Sequence, residues 1–413
     1  MYLNNESALP LKGLRVIDWS TAVAAPACGR LLADMGADVI KIESPKGDMC
    51  RTLGNAYDTP NVPEEESYPF HITANTNKRF ITLDWRTEEG MDVFMRLLKD
   101  ADVLLTSVRT KVLQAMGLSY EDLKSRFPRL ILAHLTGFGY EGDEAERPGY
   151  DVAAFWARSG GLIDWVRPGS TPVNPGLGLG DIFTGTNLCV GLLSALYARQ
   201  ATGKGTLVTT SLMSAGIWGN GNYVLVSQPP FNHPVPLDPA DATNPFFTSY
   251  KCKDGVWMTL VMPGPLAGHW ERGCRAFGLE AYIDDPRFGS DANVTANHAQ
   301  AALYQLMCDA VSRHTYAEWH ERLLTAEVVH ERIQRSCEVV NDPQAIANGY
   351  VKRITLPDNR EATFSTIPIQ FSEYGVKPIN PLVSPGQDTR KILEELDYSQ
   401  QQIEAMYEKK AVR

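Results

Sequence analysis

The 413-residue chain lacks most of the signatures by which a sequence announces its chemistry. There is no GxxxxGK[ST], which excludes a nucleotide P-loop, and neither HExxH nor an EF-hand spacing, so no dedicated zinc or calcium motif is expected. A GxSxG nucleophile elbow is missing as well. Seven cysteines (Cys28, Cys50, Cys189, Cys252, Cys274, Cys308, Cys337) are scattered, odd in number and never spaced as CxxC. That pattern argues against a zinc knuckle or thioredoxin site and for reduced thiols packed as small apolar residues. Basic residues are in deficit, 39 Lys plus Arg against 49 Asp plus Glu, for a net charge of -10. The balance excludes a general nucleic-acid binder but leaves room for a local basic pocket. No apolar run approaches the ~20 residues of a membrane span. The opening MYLNNESALPLKG has neither the basic start nor the apolar run of a signal peptide. These absences predict a cytoplasmic protein with no membrane or nucleic-acid partner.

What is present is alternation. Residues 14–19 (LRVIDW) read as a buried strand, 20–25 (STAVAA) as a small-residue loop, and 26–35 as a helix stopped by Gly36. Residues 37–43 (ADVIKIE) are a second strand, which closes a βαβ unit and predicts a parallel sheet. The loop of this unit contains no glycine, which counts against a nicotinamide or flavin dehydrogenase. After a long acidic, proline-bearing loop at 43–66 the pattern resumes. Strands are expected at 80–85, 101–108 and 129–139, and helices at 87–99 and 111–127. His134 lies inside an apolar strand and reads as a core histidine. In such open α/β sheets ligands bind beyond the carboxyl ends of the strands, so the loops after Trp19, Trp85, Val108 and Gly137 are the candidate ligand wall.

The texture changes near residue 220. A proline-rich linker (221–244) leads to two β-like runs around a KDG turn and to helices at 266–277, 301–312 and 316–326. The expected organisation is a large α/β domain at 1–220 and a small α+β domain at 245–345. A final part, 346–413, carries a strand at 362–371 and one helix over 388–410, and packs back on the large domain.

One stretch, 175–211, concentrates chemical possibilities. Its GLGLGD at 176–181 resembles a phosphate loop but lacks the Lys-Ser/Thr that would follow. Asp181 falls where loop becomes helix, and an aspartate there is most simply an N-cap. The same place also suits a nucleophile. A helix N-terminus keeps a partly buried carboxylate ionised. Flanking glycines bare N–H groups able to hold an oxyanion. A desolvated carboxylate can then attack an acyl carbon and form an anhydride. On the residues alone both readings stand.

The segments LKGLRVIDWSTAVAAPACGRLLADMGADVIKIE at 11–43, LGD at 179–181, LLSALYARQATGKG at 192–205 and DTRKILEELDY at 388–398 resemble family III CoA-transferases of the CaiB/BaiF type. RTK at 109–111, RPGYD at 147–151 and TNPFFTSYKCKDG at 243–255 are most similar to the branch that moves CoA onto 2-hydroxy acids such as phenyllactate and 2-hydroxyisocaproate. The resemblance implies a large Rossmann-like parallel-sheet domain with a smaller α+β domain, in an interlocked homodimer. It implies acyl-CoA and carboxylic acid substrates, with no permanently bound cofactor and no metal. Asp181 takes the place of the family nucleophile. It would pass through a mixed anhydride and an aspartyl-CoA thioester. The CoA-binding positions fall on Ala22, Val23, Ala24, Leu83, Arg86, Ser107, Val108, Arg109, Met116 and Arg147 to Tyr150.

Departures from the pattern are informative. Val23 stands where formyl-CoA relatives have Gln, and Ser44 replaces an arginine for which Lys46 could substitute. Ser107-Val108 replaces an Asn-aromatic pair beside adenine. No glycine-rich flap of the oxalate type is visible. These changes favour an apolar or aryl hydroxy acid over oxalate. Two alternatives remain: an α-methylacyl-CoA racemase, whose His-Asp dipeptide is here Tyr150-Asp151, and a non-catalytic CoA-binding member.

Overall fold

Sheet residues that alternate between two apolar faces organise the larger part of the molecule. The computed structural model describes residues 8–53, 69–173, 175, 178–235, 237–356 and 359–413. The opening heptapeptide, most of the 43–66 loop, and Gly176 and Leu177 before Asp181 lie outside the described residues. The chain forms two compact units. The larger runs through Leu162 and adds Val173–Val226 and Ile346–Arg413; the smaller comprises Ile163–Pro172 and Ser227–Ala345. This differs from the expected boundary at 220. Arg167 donates to Asp238 through Nε at 2.6 Å and Nη2 at 3.1 Å, which ties the 163–172 segment to the smaller unit. Residues 221–226, expected as linker, are helical and stay with the larger unit.

In the larger unit six strands, β1 (Arg15–Trp19), β2 (Asp38–Glu43), β3 (Arg79–Thr82), β4 (Val103–Thr106), β5 (Ile131–Thr136) and β6 (Leu207–Ser211), form one sheet in the order β3-β2-β1-β4-β5-β6. All five pairings are parallel. A parallel sheet is covered on both faces, and successive side chains feed opposite sides. Val16, Val39, Val103, Leu105 and Ile131 join one core with helices Ala24–Asp34 and Leu179–Thr202. Ile17, Ile40, Ile81, Leu104 and Leu132 join the other with helix Glu88–Lys99 and the C-terminal Ile392, Leu393, Ile403 and Met406. The strand order reverses between β1 and β4, which opens a crevice at their carboxyl ends.

Several elements are more broken than the periodicity predicts. The helix expected over 111–127 is two, Thr110–Ala115 and Tyr120–Arg126, because Gly117 turns to a positive φ of 66° and Ser119 starts a new capping box. The single helix expected over 388–410 is likewise split into Thr389–Glu395 and Gln400–Glu408, at Asp397 (φ 62°) and the Ser399 cap. The strand expected over 362–371 runs only Glu361–Ser365, antiparallel to Val351–Thr355, and Pro368 prevents its continuation. In the smaller unit the helix expected from 266 starts at Trp270 after a 3-10 turn, and the KDG hairpin gains a third strand, His330–Arg332. That unit has its own core, with Phe246, Tyr250, Trp270, Phe277 and Trp319.

Helix Leu179–Thr202 is long and apolar enough, by length and composition only, to cross a bilayer. Its buried residues, among them Gly185, Leu188, Cys189 and Leu192, face the larger unit's core. Gly185 lets it approach helix Ala24–Asp34: a Cβ there would lie 2.2 Å from the Ala24 carbonyl oxygen. Intrinsic propensity favours Ala over Gly in a helix by ~1 kcal/mol. Overpacking against backbone costs ~1–3 kcal/mol. Gly185→Ala is therefore expected to lower the urea midpoint without changing the m-value; an unchanged or raised midpoint would show that the helices can separate freely.

Candidate active site

The crevice at the carboxyl ends of β1 and β4 deepens into a cavity of about 370 Å³. Thr21 and Ala22 come to it from the loop after β1, Ser107 and Arg109 from the loop after β4, Thr136 and Gly137 from the end of β5, and Asp181 from the long helix. The Arg147–Tyr150 loop reaches it because two glycines meet there: a Cβ on Gly137 would lie 2.8 Å from Gly149 Cα. A wider groove of about 1080 Å³ on the smaller unit is lined by charged pairs such as Arg275 and Glu271.

Buried charges shape the first loop. Ala22 adopts φ 65°, a left-handed conformation uncommon for a residue with a Cβ. Its amide donates to Asp48 Oδ1 at 3.3 Å, and the preceding amide of Thr21 donates to Ser107 Oγ at 3.1 Å. Asp48 lies 3.3 Å from Lys41 Nζ, which donates to the Ser20 carbonyl at 2.6 Å. Beneath them Lys78 Nζ donates to Asp18 at 2.7 Å, with both side chains fully buried. The fragment STAVAA thus needs no glycine to make a tight turn, because its strained residue is held from two sides.

Asp181 lies in the first turn of helix Leu179–Thr202, but it does not cap it. Gly178, at φ 75°, occupies the N-cap position with no side-chain cap bond. Among the described residues no donor is hydrogen-bonded to the Asp181 carboxylate. Its pKa is pushed up to about 7, first by burial and then by the charge of Asp151. Helix position alone predicts a firmly ionised group; desolvation and a like charge outweigh it here. Asp151 is itself buried, and burial raises it to about 6 against the pull of the Trp156 indole and the Asp181 and Gly180 amides. His134 is fully buried and lines the cavity, with Nδ1 against the Tyr140 hydroxyl; burial lowers its pKa to about 4, so it is neutral.

Of the residues singled out in the sequence, Ala22, Ala24, Ser107, Arg109, Arg147, Tyr150 and Asp181 converge on this cavity. Arg109 is exposed and makes no ion pair among the described residues, whereas Arg147 is paired with Glu144 and stacks over Phe138. The others lie elsewhere. Leu83 is fully buried in the second core, where it bridges to Val412, and Val108 and Met116 pack against that core. Arg86 is exposed and bonds Asp84 through two nitrogens at 2.8 Å. It follows β3, two strands from β1 and so ~10 Å across the sheet. Lys46 is exposed and does not line the cavity. Val23 is buried behind the wall with Cys50 and Ala74, next to Ala22, Leu53 and Phe70. Ser107, expected beside adenine, braces the first loop.

A profile of CoA-transferase family III matches residues 11–389. The chain belongs to that family. This family III enzyme is 32% identical over 405 residues to (R)-2-hydroxy-4-methylpentanoate CoA-transferase of Clostridioides difficile, covering 98% of this chain and 99% of the relative. It is 34% identical over 401 residues to cinnamoyl-CoA:phenyllactate CoA-transferase of Clostridium sporogenes, covering 97% and 96%. Among solved structures, a CaiB/BaiF family protein from Brucella suis superposes with a TM-score of 0.81 at 30% identity, over 94% of this chain and all of that one.

Asp48 is a residue that motif reading passed over, and Asp151 entered it only within RPGYD and as the neighbour of Tyr150, with no role of its own. Neither stands out by spacing; each acquires meaning only when the fold sets it against the cavity's walls. The raised pKa of Asp181 has a consequence for stability. A carboxyl at about 7 in the folded state, against an ordinary 3.8, binds its proton more tightly folded than unfolded. Its stabilising contribution is therefore full below pH ~4 and is lost as pH rises through 7. Asp181→Asn removes a charge that is costly at high pH, for a gain of at most ~4 kcal/mol. The variant should melt above the parent at pH 8, with the gap closing toward pH 4; equal melting temperatures at pH 8 would mean the carboxylate is not desolvated.

Proposed function

We propose that this family III enzyme transfers CoA from an acyl-CoA donor to a carboxylic acid acceptor, a 2-hydroxy acid with an apolar side chain, through covalent catalysis on Asp181. The observation that carries the reading is that, among the described residues, Asp181 is the one carboxylate lining the cavity at the strand-order reversal, half-buried and bound by no donor. Such a group is free to attack and is poorly solvated.

Asp181 attacks the thioester carbonyl, giving a mixed anhydride and CoA thiolate. The thiolate then attacks the aspartyl carbonyl, releasing the donor acid and leaving an aspartyl-CoA thioester. The acceptor carboxylate reverses the sequence. Arg109, exposed at the mouth and without an ion pair among the described residues, would meet a phosphate of CoA. Val23, packed behind the wall with Cys50, Ala74, Leu53 and Phe70, is the apolar neighbour of Asp181 that favours an apolar acid. A Cβ built on Gly178 would lie 3.4 Å from both Val23 Cγ1 and Asp181 Oδ2, so the two side chains flank one point. The names of the two hydroxy-acid relatives agree with that choice.

Asp181→Ala should lose CoA transfer by ~10³-fold or more while still binding CoA in calorimetry. Hydroxylamine should trap an acyl adduct on Asp181 of the parent, and a panel of CoA esters and hydroxy acids read by mass spectrometry names the substrates. Transfer by Asp181→Ala at the parent rate ends the nucleophile reading. Exchange of an α-proton in deuterated water without acceptor acid would favour the racemase.

A homodimer belongs to the same proposal. Val190, Tyr197, Trp218 and Leu225 on the larger unit are 61%, 77%, 78% and 52% exposed, large apolar side chains that a partner chain would cover. Equilibrium sedimentation should give a mass near twice the 45.7 kDa of one chain; a monomer at micromolar concentration refutes it.

A further inference from the structure

Asp151 is a buried carboxylate that none of the preceding steps uses. It opens the π-helical turn Asp151–Ala157 and is 7% exposed. Neither of its oxygens completes a hydrogen bond among the described residues. No Lys, Arg or His among them lies within ion-pair distance. A charge so placed is costly, and its surroundings are built to admit it. Gly180 is the admitting feature. A Cβ at Gly180 would lie 2.2 Å from Asp151 Oδ1 and 2.5 Å from the Phe155 ring, so only glycine lets this carboxylate reach the helix turn that carries Asp181.

The other charged groups around Asp181 do not offset it. Cys50 feels the Asp181 charge, but its own thiol is pushed up to about 12 and is neutral. His134 is neutral, and Arg109 and Arg147 are exposed at the mouth. Tyr150, also exposed, completes the titratable lining. Burial raises Asp181 first, and Asp151 is the charged group that raises it further, whereas Asp151 itself is set by burial against the amides it faces.

We propose that Asp151 is a positioning residue that acts through Asp181, its charge favouring the acylated forms of the nucleophile over the free carboxylate. The inference rests on the reading of Asp181 as nucleophile. In the first step an Asp181 oxygen forms a C–O bond to the acyl carbon, the C–S bond breaks, and the electron pair leaves on the CoA thiolate. The negative charge moves from Asp181 to sulfur. Repulsion between Asp151 and Asp181 is thus present in the free enzyme and absent in both the anhydride and the aspartyl thioester. An interaction that destabilises only the reactant lowers the barrier to leaving it. It also makes Asp181 a stronger base and so a stronger nucleophile.

The test is acylation of the full-length enzyme by an acyl-CoA accepted in the substrate panel, without acceptor acid, read as covalent adduct by intact mass between pH 5 and 9. Asp151→Asn should shift the midpoint of the acylation profile downward by about one pH unit or more and slow the alkaline plateau ~10-fold, with the KM for the CoA ester within twofold. Asp151→Glu should restore much of the midpoint. A purely structural role would change the amount of active enzyme and not the midpoint. In the parent enzyme, carbodiimide labelling of Asp181 should follow a titration near pH 7, which holds the inference open to refutation even if Asp151→Asn fails to fold. Labelling that falls off near pH 4 overturns it. A parent adduct with an identical pH profile in Asp151→Asn overturns this inference alone; no adduct on the parent at any pH overturns the nucleophile reading and this one with it.

Discussion

The approach of two helices at a single glycine sets the geometry on which the cavity depends. Gly185 rests on the Ala24 carbonyl with no room for a Cβ. Asp181 is four residues earlier, one turn along the same helix face. The contact that packs helix Leu179–Thr202 onto helix Ala24–Asp34 therefore also presents the carboxylate to the loop that precedes Ala24. Neither helix carries the site by itself. Their separation decides whether Asp181 meets the first loop or solvent.

That first loop is held by an unusual share of buried charge. Lys41 with Asp48, Lys78 with Asp18, and Arg51 with Glu43 are arranged under it within 3.3 Å. Buried pairs of this kind contribute little net stability, but breaking one by removing a partner costs ~3–5 kcal/mol. Their effect here is geometric. Lys41 and Asp48 grip the Ser20 carbonyl and the Ala22 amide, and the left-handed Ala22 follows. A glycine would adopt that φ without strain but would also leave it freely.

How much of this is legible in the chain depends on what each feature consists of. The strand-helix alternation is a local apolar pattern, so the parallel sheet and the cavity at its strand ends follow from it. Asp181, Arg109 and Tyr150 come from strand-end loops and one helix start, and they converge as those loops predict. Leu83 and Arg86 also follow a strand, but β3 is two strands away from the crevice. Order within the sheet is a long-range property that spacing does not encode. The divided helices are a different kind of miss: Gly117, Ser119, Asp397 and Ser399 are readable stop and start signals, overridden by a continuous apolar stripe. His134 reads correctly as a core residue, yet the core at that point is also the cavity wall.

The larger unit treats its buried acids in two distinct ways. Asp18, Glu43 and Asp48 each lie beside a buried cation, as folded proteins require of internal charge. Asp151, which faces the Gly180 and Asp181 amides from the turn Asp151–Ala157, and Asp181 itself have no cation at ion-pair distance among the described residues. Stability alone would remove such a pair or give it a lysine. Gly178 and Gly180 point the same way, since a Cβ would lie 3.4 Å from Asp181 Oδ2 at the first and 2.2 Å from Asp151 Oδ1 at the second. Perturbed acids that are unpaired and line a cavity are characteristic of chemistry, whereas paired ones describe architecture. By that physical contrast, without reference to any relative, the helix start at Asp181 separates from the other carboxylates of the unit.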